Sequence, residues 1–223
     1  MGPMITADRA QAISPQAGLL IAIMDCTVQY MARPREFDTD MVLESATRVF
    51  WAKGFENSSL DDLCAATGLN RSSLYAAFGA KRDLYLSALA RYEDGSAARI
   101  AAALHGKPIR QGVKAFLDAL IDSIVAGPGR RGCFIGNCAA EMARLDRGAA
   151  ARVRRSLERI EASFRAGLDE ARARGELPDD ADTGALARFL TAGIQGLRLI
   201  GKANPDRRAL EDIAAVMLRC LHR

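Results

Sequence analysis

From Val42 onward the apolar residues of this chain return every three or four positions, and nowhere do they settle into alternation. That spacing gathers them on one face of a helix, whereas a half-buried strand needs them at every second residue. The chain must therefore bury its apolar surface helix against helix. Its 223 residues suffice for one large core or two modest ones. Hydrophobic residues make up 49% and charged residues 26%, which excludes the low-hydropathy composition of a disordered chain. Ala, Leu, Arg and Glu predominate over aromatic and β-branched runs, and their side chains lose little rotamer freedom in a helix.

The spacing and its punctuation predict the individual helices. Asp38 or Thr39 caps the first, which carries Val42, Ala46, Val49 and Phe50 on one face and ends at Gly54. Ser58 or Ser59 caps a short helix over 60–66, with Asp61 and Asp62 placed to favour its dipole and Leu60, Leu63 and Cys64 turned inward. Gly68 supplies a tight turn and Leu69 an apolar plug. Asn70 then caps a second short helix over 71–78, whose inner face is Leu74, Ala77 and Phe78. A longer helix opens near Ala80 and Lys81 and turns Leu84, Ala88, Leu89 and Tyr92 inward. Beyond Gly106 and Pro108, residues 113–125 form a broad core stripe, and Gly127-Pro128-Gly129 reads as a loop. Three further helices are expected over 148–174, 183–202 and 206–221. The expected fold class is all-α, with a small helix-turn-helix domain over 31–80 and a larger helical bundle over 81–223. Residues 1–30 look unlike the rest, and two readings stand: an extension preceding a natural start at Met31, or an arm that packs on the body.

Several function classes fall away at this level. The net charge of +4 is only mildly basic, and the segment 31–92 balances eight Lys/Arg against eight Asp/Glu, so any attraction to phosphate rests on placement. Five cysteines, Cys26, Cys64, Cys133, Cys138 and Cys220, form no paired framework and suit a reducing cytosol. The apolar run 17–24 is far shorter than the roughly 20 residues of a membrane span, and no secretory signal is recognisable. A cytoplasmic protein without a membrane partner is expected. No Gly-x-Ser-x-Gly or His-Glu-x-x-His motif occurs, and two histidines, His105 and His222, provide thinly for acid–base chemistry or metal ligation. No enzyme activity, cofactor or metal is therefore expected. Residues 196–202 fit the first part of a phosphate-binding loop. However, Ala203 stands where Ser or Thr is needed, no strand precedes it, and Asn204-Pro205 blocks the helix that should follow.

Two short helices joined by a glycine turn have the layout of a helix-turn-helix, whose second helix enters the major groove. The outward face of the second offers Arg71, Ser72, Tyr75 and Ala76, and free N–H groups at both helix starts can hold phosphate oxygens. Leu69, Leu74 and Phe78 belong to the core, and Ser59 and Asn70 cap helices with or without DNA. Tyr75 discriminates, because an exposed aromatic on a short helix serves contact better than packing. The competing reading is a helical ligand-binding or interaction protein without DNA binding.

The stretch Phe50-Trp51-Ala52-Lys53-Gly54-Phe55-Glu56-Asn57-Ser58-Ser59-Leu60, then Gly68-Leu69-Asn70-Arg71-Ser72-Ser73-Leu74-Tyr75-Ala76-Ala77-Phe78, with Lys81 and Leu84, resembles the DNA-binding domain of the TetR family. The likeness runs without gaps over about 33–92. It implies a regulator, most simply a repressor, that binds double-stranded operator DNA as a homodimer and is released by a small-molecule inducer or by thiol modification. Ser59 would bind phosphate. Asn70, Arg71, Ser72 and Ser73 would open the recognition helix, and Tyr75 and Lys81 would grip phosphates. Ala76 stands where many relatives carry an aromatic or His, so one contact is missing. Arg33 and Arg35 form a Pro-stiffened arm suited to a narrow minor groove, or a merely solvated tail. The resemblance also implies a dimer interface on the last two helices, where Leu186, Phe189, Leu190, Ile194, Leu197, Ile213 and Met217 exceed what one protomer face requires.

The C-terminal half should hold the inducer, and its most unusual segment is 131–141. Its Gly132-Cys133-x-x-x-Asn137 pattern resembles one subgroup of the family that answers to varied signals. Cys133, Phe134, Asn137, Cys138 and Glu141 are the candidate sensing residues. Three readings stand for the two cysteines: small buried hydrophobes, a low-pKa thiolate aided by Arg130, Arg131 or a helix N-terminus, or a metal site. The last is disfavoured by a five-residue spacing that does not align on a helix face.

Overall fold

The structure is a computed structural model that describes residues 37–221. The described residues form nine α-helices and one 3-10 helix, with no strand. Residues from Asp38 onward make one compact unit.

Asp38 caps α1 (Thr39–Lys53), its carboxylate accepting from the N–H groups of Asp40 and Met41. Val42, Ala46 and Phe50 form its buried face. Helix α2 (Leu60–Thr67) starts at Ser59 and stops at Gly68; α3 (Arg71–Phe78) starts at Asn70. Each short helix buries one residue fully, Leu63 and Leu74 respectively. Cys64 and Phe78 are only half-buried and Ala77 is exposed, which corrects the expected inner faces. A two-turn helix on the rim of a core has only one position that points straight into it.

Helix α4 (Lys81–Leu104) runs 24 residues, about 36 Å at the usual helical rise. Leu84, Tyr85, Ala88 and Leu89 line its first half, which packs on α1; Ile100 and Leu104 line its second, which packs on the bundle. Both parts of the molecule thus share one rod. The bundle continues with α5 (Ile109–Ala126), a 3-10 helix (Pro128–Arg131), α6 (Phe134–Glu141), α7 (Arg147–Ala173), α8 (Thr183–Ala203) and α9 (Arg207–Arg219). The 3-10 turn begins within the expected Gly127-Pro128-Gly129 loop, and α6 lies where the sequence pattern assigned no element. Helix α6 has no side-chain cap and too few turns to display a period.

Helix α8 packs against α7, α5 and α9. Its stripe is consumed within the chain: Leu190, Ile194 and Leu197 are buried, as is Met217 of α9. These four are withdrawn from the expected dimer face, because a side chain already covered by its own bundle has no surface left for a partner. Leu186 and Ile213 are half-buried, and Phe189 is 42% exposed. Leu199, Ile200 and Val216 are the other large exposed apolar residues of α8 and α9. Residues 196–202 lie wholly inside α8 and are no phosphate loop.

Candidate nucleic-acid interface

The two short helices are fixed by reciprocal caps. Ser59 Oγ accepts from the Asp62 N–H at 3.0 Å, while the Asp62 carboxylate accepts from the Ser59 N–H at 3.0 Å. Lys53 Nζ donates to the same carboxylate at 2.6 Å. That lysine bond, followed by the two from Ser59, pulls the Asp62 carboxyl down to about 2. Asn70 Oδ1 accepts from the Ser73 N–H at 2.8 Å and from Ser72 Oγ at 2.7 Å. The N–H groups of Leu60, Asp61, Arg71 and Ser72 have no carbonyl four residues back inside their helices, so they remain available to an anion.

Ion pairing leaves few positive charges free on this face. Arg71 Nη2 lies 2.7 Å from Asp61, Lys53 pairs with Asp62, and Arg48 and Arg91 share Glu44. Arg82 pairs with Asp146. Lys81 differs: among the described residues its ammonium has no carboxylate partner. It lies 4.5 Å from the Phe55 ring centroid, with Glu56 O at 3.5 Å. Tyr75 is 46% exposed on α3, and its hydroxyl makes no hydrogen bond among the described residues. Tyr75 and Lys81 are the least committed donors on the surface expected to meet DNA. Arg33 and Arg35 lie outside the described residues.

The α1–α3 unit is tied to the bundle by particular groups. The Glu141 carboxylate, at the end of α6, accepts from the N–H groups of Phe55 at 2.9 Å and Glu56 at 3.1 Å. It reaches them beside Gly54, whose φ of +82° and lack of a side chain are both required. A Cβ there would lie 2.7 Å from Glu141 Oε1. Arg82 at the start of α4 grips Asp146, the N-cap of α7, with Nη2 to Oδ1 at 2.8 Å. An edge-to-face aromatic chain completes the joint. Tyr85 meets Phe50, Phe55 and Phe134 at 5.0, 5.3 and 5.2 Å, and Tyr92 meets Trp51 and Phe134 at 4.9 and 5.8 Å.

The candidate sensing segment therefore divides. Phe134 and Cys138 are wholly buried, and Cys133, the N-cap of α6, is 6% exposed. Burial pushes the Cys138 thiol up from its ordinary value, the reverse of what a reactive thiolate needs. This corrects the thiolate expectation at Cys138 and favours the small-hydrophobe reading there. Asn137 Nδ2 donates to Arg131 O at 3.0 Å and holds the 3-10 turn. None of the five lines the cavity of about 570 Å³ in the bundle, whose charged walls are Arg99, Lys107, Arg131 and Arg198. Of these four only Arg131 falls in a segment that the sequence singled out; the others come from separate elements, which spacing does not join.

Comparison with known proteins extends this geometry. Residues 42–88 match the profile of bacterial regulatory proteins of the tetR family, and residues 110–217 match the tetracyclin repressor-like C-terminal domain. The chain is 34% identical over 193 residues to the uncharacterized HTH-type transcriptional regulator YezE of Bacillus subtilis, covering 86% of this chain and all of the relative. It is 33% identical to the HTH-type transcriptional repressor ComR of Escherichia coli, covering 87% of this chain and 93% of that one. Among solved structures it resembles a cysteine mutant of the TetR family transcriptional regulator CifR complexed with 26bp double-strand operator DNA. That likeness has a TM-score of 0.73 and 32% identity, over 84% of this chain and 98% of the other.

Proposed function

The chain belongs to the TetR family of bacterial regulatory proteins, and from that premise we propose that it is a repressor. It grips a palindromic operator as a homodimer and lets go when a small molecule enters its bundle. That it is a DNA-binding transcriptional regulator rests on both matched profiles and on relatives named as regulators and repressors; these families are regulatory, not enzymatic. No described helix is long and apolar enough to cross a membrane, and a cytoplasmic site of action fits a DNA-binding regulator.

The observation that carries the contact assignment is that, among the described residues, the exposed Tyr75 hydroxyl makes no hydrogen bond and the Lys81 ammonium meets no carboxylate. Tyr75 lies on α3, whose start still offers N–H donors, and Lys81 opens α4. Tyr75 and Lys81 hold phosphate, Ser59 adds its hydroxyl, and Asn70, Arg71, Ser72 and Ser73 lead α3 into the major groove. Arg71 reaches DNA by exchanging Asp61 for a phosphate or base edge, since an ion pair exposed to solvent is readily given up.

One such unit reads too few base pairs, so two copies meet through the exposed apolar residues of α8 and α9, Phe189 and Val216 among them. This spaces the recognition helices by about one helical turn of DNA, roughly 34–36 Å. The Gly132-Cys133-x-x-x-Asn137 segment supports placing the chain in the subgroup that carries this pattern. Inducer binding acts on α4, the rod shared by both halves, and shifts the dimer between two states.

The test is fluorescence anisotropy with a labelled duplex from the gene's own upstream region, at two salt concentrations. Wild type should bind saturably with two chains per duplex and weaken steeply with salt. Tyr75→Ala should lose affinity by about tenfold or more, as removal of one charge-assisted phosphate bond requires. Failure of the wild type to bind, on this duplex and on a panel of genomic fragments, would move the protein to the DNA-silent class.

A further inference from the structure

The bundle cavity of about 570 Å³ lies within the range of small-molecule sites. Four cations line it, Arg99, Lys107, Arg131 and Arg198, and among the described residues no Asp or Glu does. Elsewhere the arginines of this chain pair repeatedly with carboxylates, as Arg82, Arg152, Arg159, Arg174 and Arg207 do. Among the described residues none of the cavity's four cations forms an ion pair. Neutral groups hold the three arginines instead. Arg198 Nη1 donates to the Tyr92 hydroxyl at 3.0 Å, Arg99 Nη2 donates to Ser96 Oγ at 3.0 Å, and the Arg131 guanidinium stacks 4.5 Å from the centroid of Trp51.

Four positive charges around a single cavity, none of them in an ion pair with a described carboxylate, repel one another, and an anion placed among them lowers that cost. The remaining walls select its shape. Trp51, Tyr92 and Phe116 supply aromatic surface, and Ala103, Ala115 and Ala119 leave room beside it. We propose that this cavity binds a small organic anion with a flat apolar body, a carboxylate or sulfonate carried on an aromatic frame. Arg131 and Arg198 take its charged group, and the rings take its body. The occupant would touch Trp51 of α1 directly, so it reaches the DNA-binding unit without an intermediary. The proposal takes from the regulator reading only that the bundle receives a small molecule.

A pair of probes that differ by the charge tests it: 1-anilinonaphthalene-8-sulfonate and its neutral analogue N-phenyl-1-naphthylamine. Trp51 is the chain's only tryptophan, so energy transfer from it to a bound probe reports occupancy at this place. The full-length protein should bind one anionic probe per chain, with transfer from Trp51 and at least about tenfold preference over the neutral analogue. Arg131→Gln and Arg198→Gln should each weaken the anionic probe by about tenfold, with circular dichroism and the unfolding midpoint unchanged. Arg198→Lys, which keeps the charge, should recover most of the loss. Equal binding of the two probes, or variants that bind the sulfonate as wild type does, would overturn the assignment. Operator binding is measured on the same preparations. Operator binding without probe preference overturns the anion site alone, and probe preference without operator binding supports the site while overturning the regulator reading.

Discussion

At the scale of single residues, one carboxylate organises much of the DNA-facing unit. Asp62 closes the start of α2 on Ser59 and at the same time anchors Lys53 at the end of α1. It is therefore bound in its charged form, and its folded pKa of about 2 lies below the roughly 3.9 of an unfolded aspartate. A depressed carboxylate contributes stability that is complete above the unfolded value and disappears as pH falls through the folded one. Wild type and Asp62→Asn should accordingly differ in urea midpoint at pH 6 and converge between about pH 4 and pH 2. A difference that stays constant over that range would show that the charge of Asp62 contributes nothing. Asp38 was the one other acidic cap named from the sequence, whereas Asp182 and Asp206, which also accept from helix N–H groups just downstream, emerged only with the structure.

Among the elements, α3 is short enough that its cap governs its persistence. Eight residues with one fully buried side chain gain little from propensity or packing, and an isolated helix of that length is marginal. Asn70 satisfies the Ser73 N–H and orients Ser72, so its side chain orders the surface that meets DNA. Asn70→Ala should cost about 1 kcal/mol of local stability, visible as faster hydrogen exchange at the Leu74 and Tyr75 amides with α4 unaffected. Operator affinity should fall with it. Unchanged exchange in α3 would mean that tertiary contact alone holds the helix. Helix α4 behaves oppositely, since its 24 residues are packed on both halves and it opens at Ala80 without a side-chain cap.

Across the whole molecule, the joint between the DNA-facing unit and the bundle depends on Phe134. It is fully buried and forms edge-to-face pairs with both Tyr85 and Tyr92. Removing it leaves a void in the middle of that joint. Phe134→Ala should lower global stability by about 3–5 kcal/mol in urea unfolding. A loss below about 1 kcal/mol would show that the aromatic chain repacks and that the two parts are joined mainly through Glu141 and the Arg82–Asp146 pair. These polar ties cross the same boundary, so a ligand that shifts α4 or α6 moves the turn at Phe55 as well.

What the sequence determined by itself was the order of helices and the identity of the DNA-facing unit. Those features are written in contiguous residues: apolar spacing for α1 to α5, Ser59 and Asn70 as caps, Gly68 as the turn, and Tyr75 and Lys81 in a recognisable register. Local signals suffice there because the physics of helix starts, stops and faces acts over four residues or fewer. Tertiary structure decided the rest. Leu190 and Leu197 share a stripe with Phe189, yet only the packing of α8 on α7 and α5 shows which are spent inside the chain and which face outward. The sequence left Cys138 open between a buried hydrophobe, a reactive thiolate and a metal ligand, and burial, which raises its pKa, favours the first. The cationic cavity draws on α1, α4, α5, the 3-10 turn and α8, elements as far apart in sequence as Trp51 and Arg198. Charge gathered across such distances has no period or spacing to betray it, because proximity in a folded core is set by helix packing.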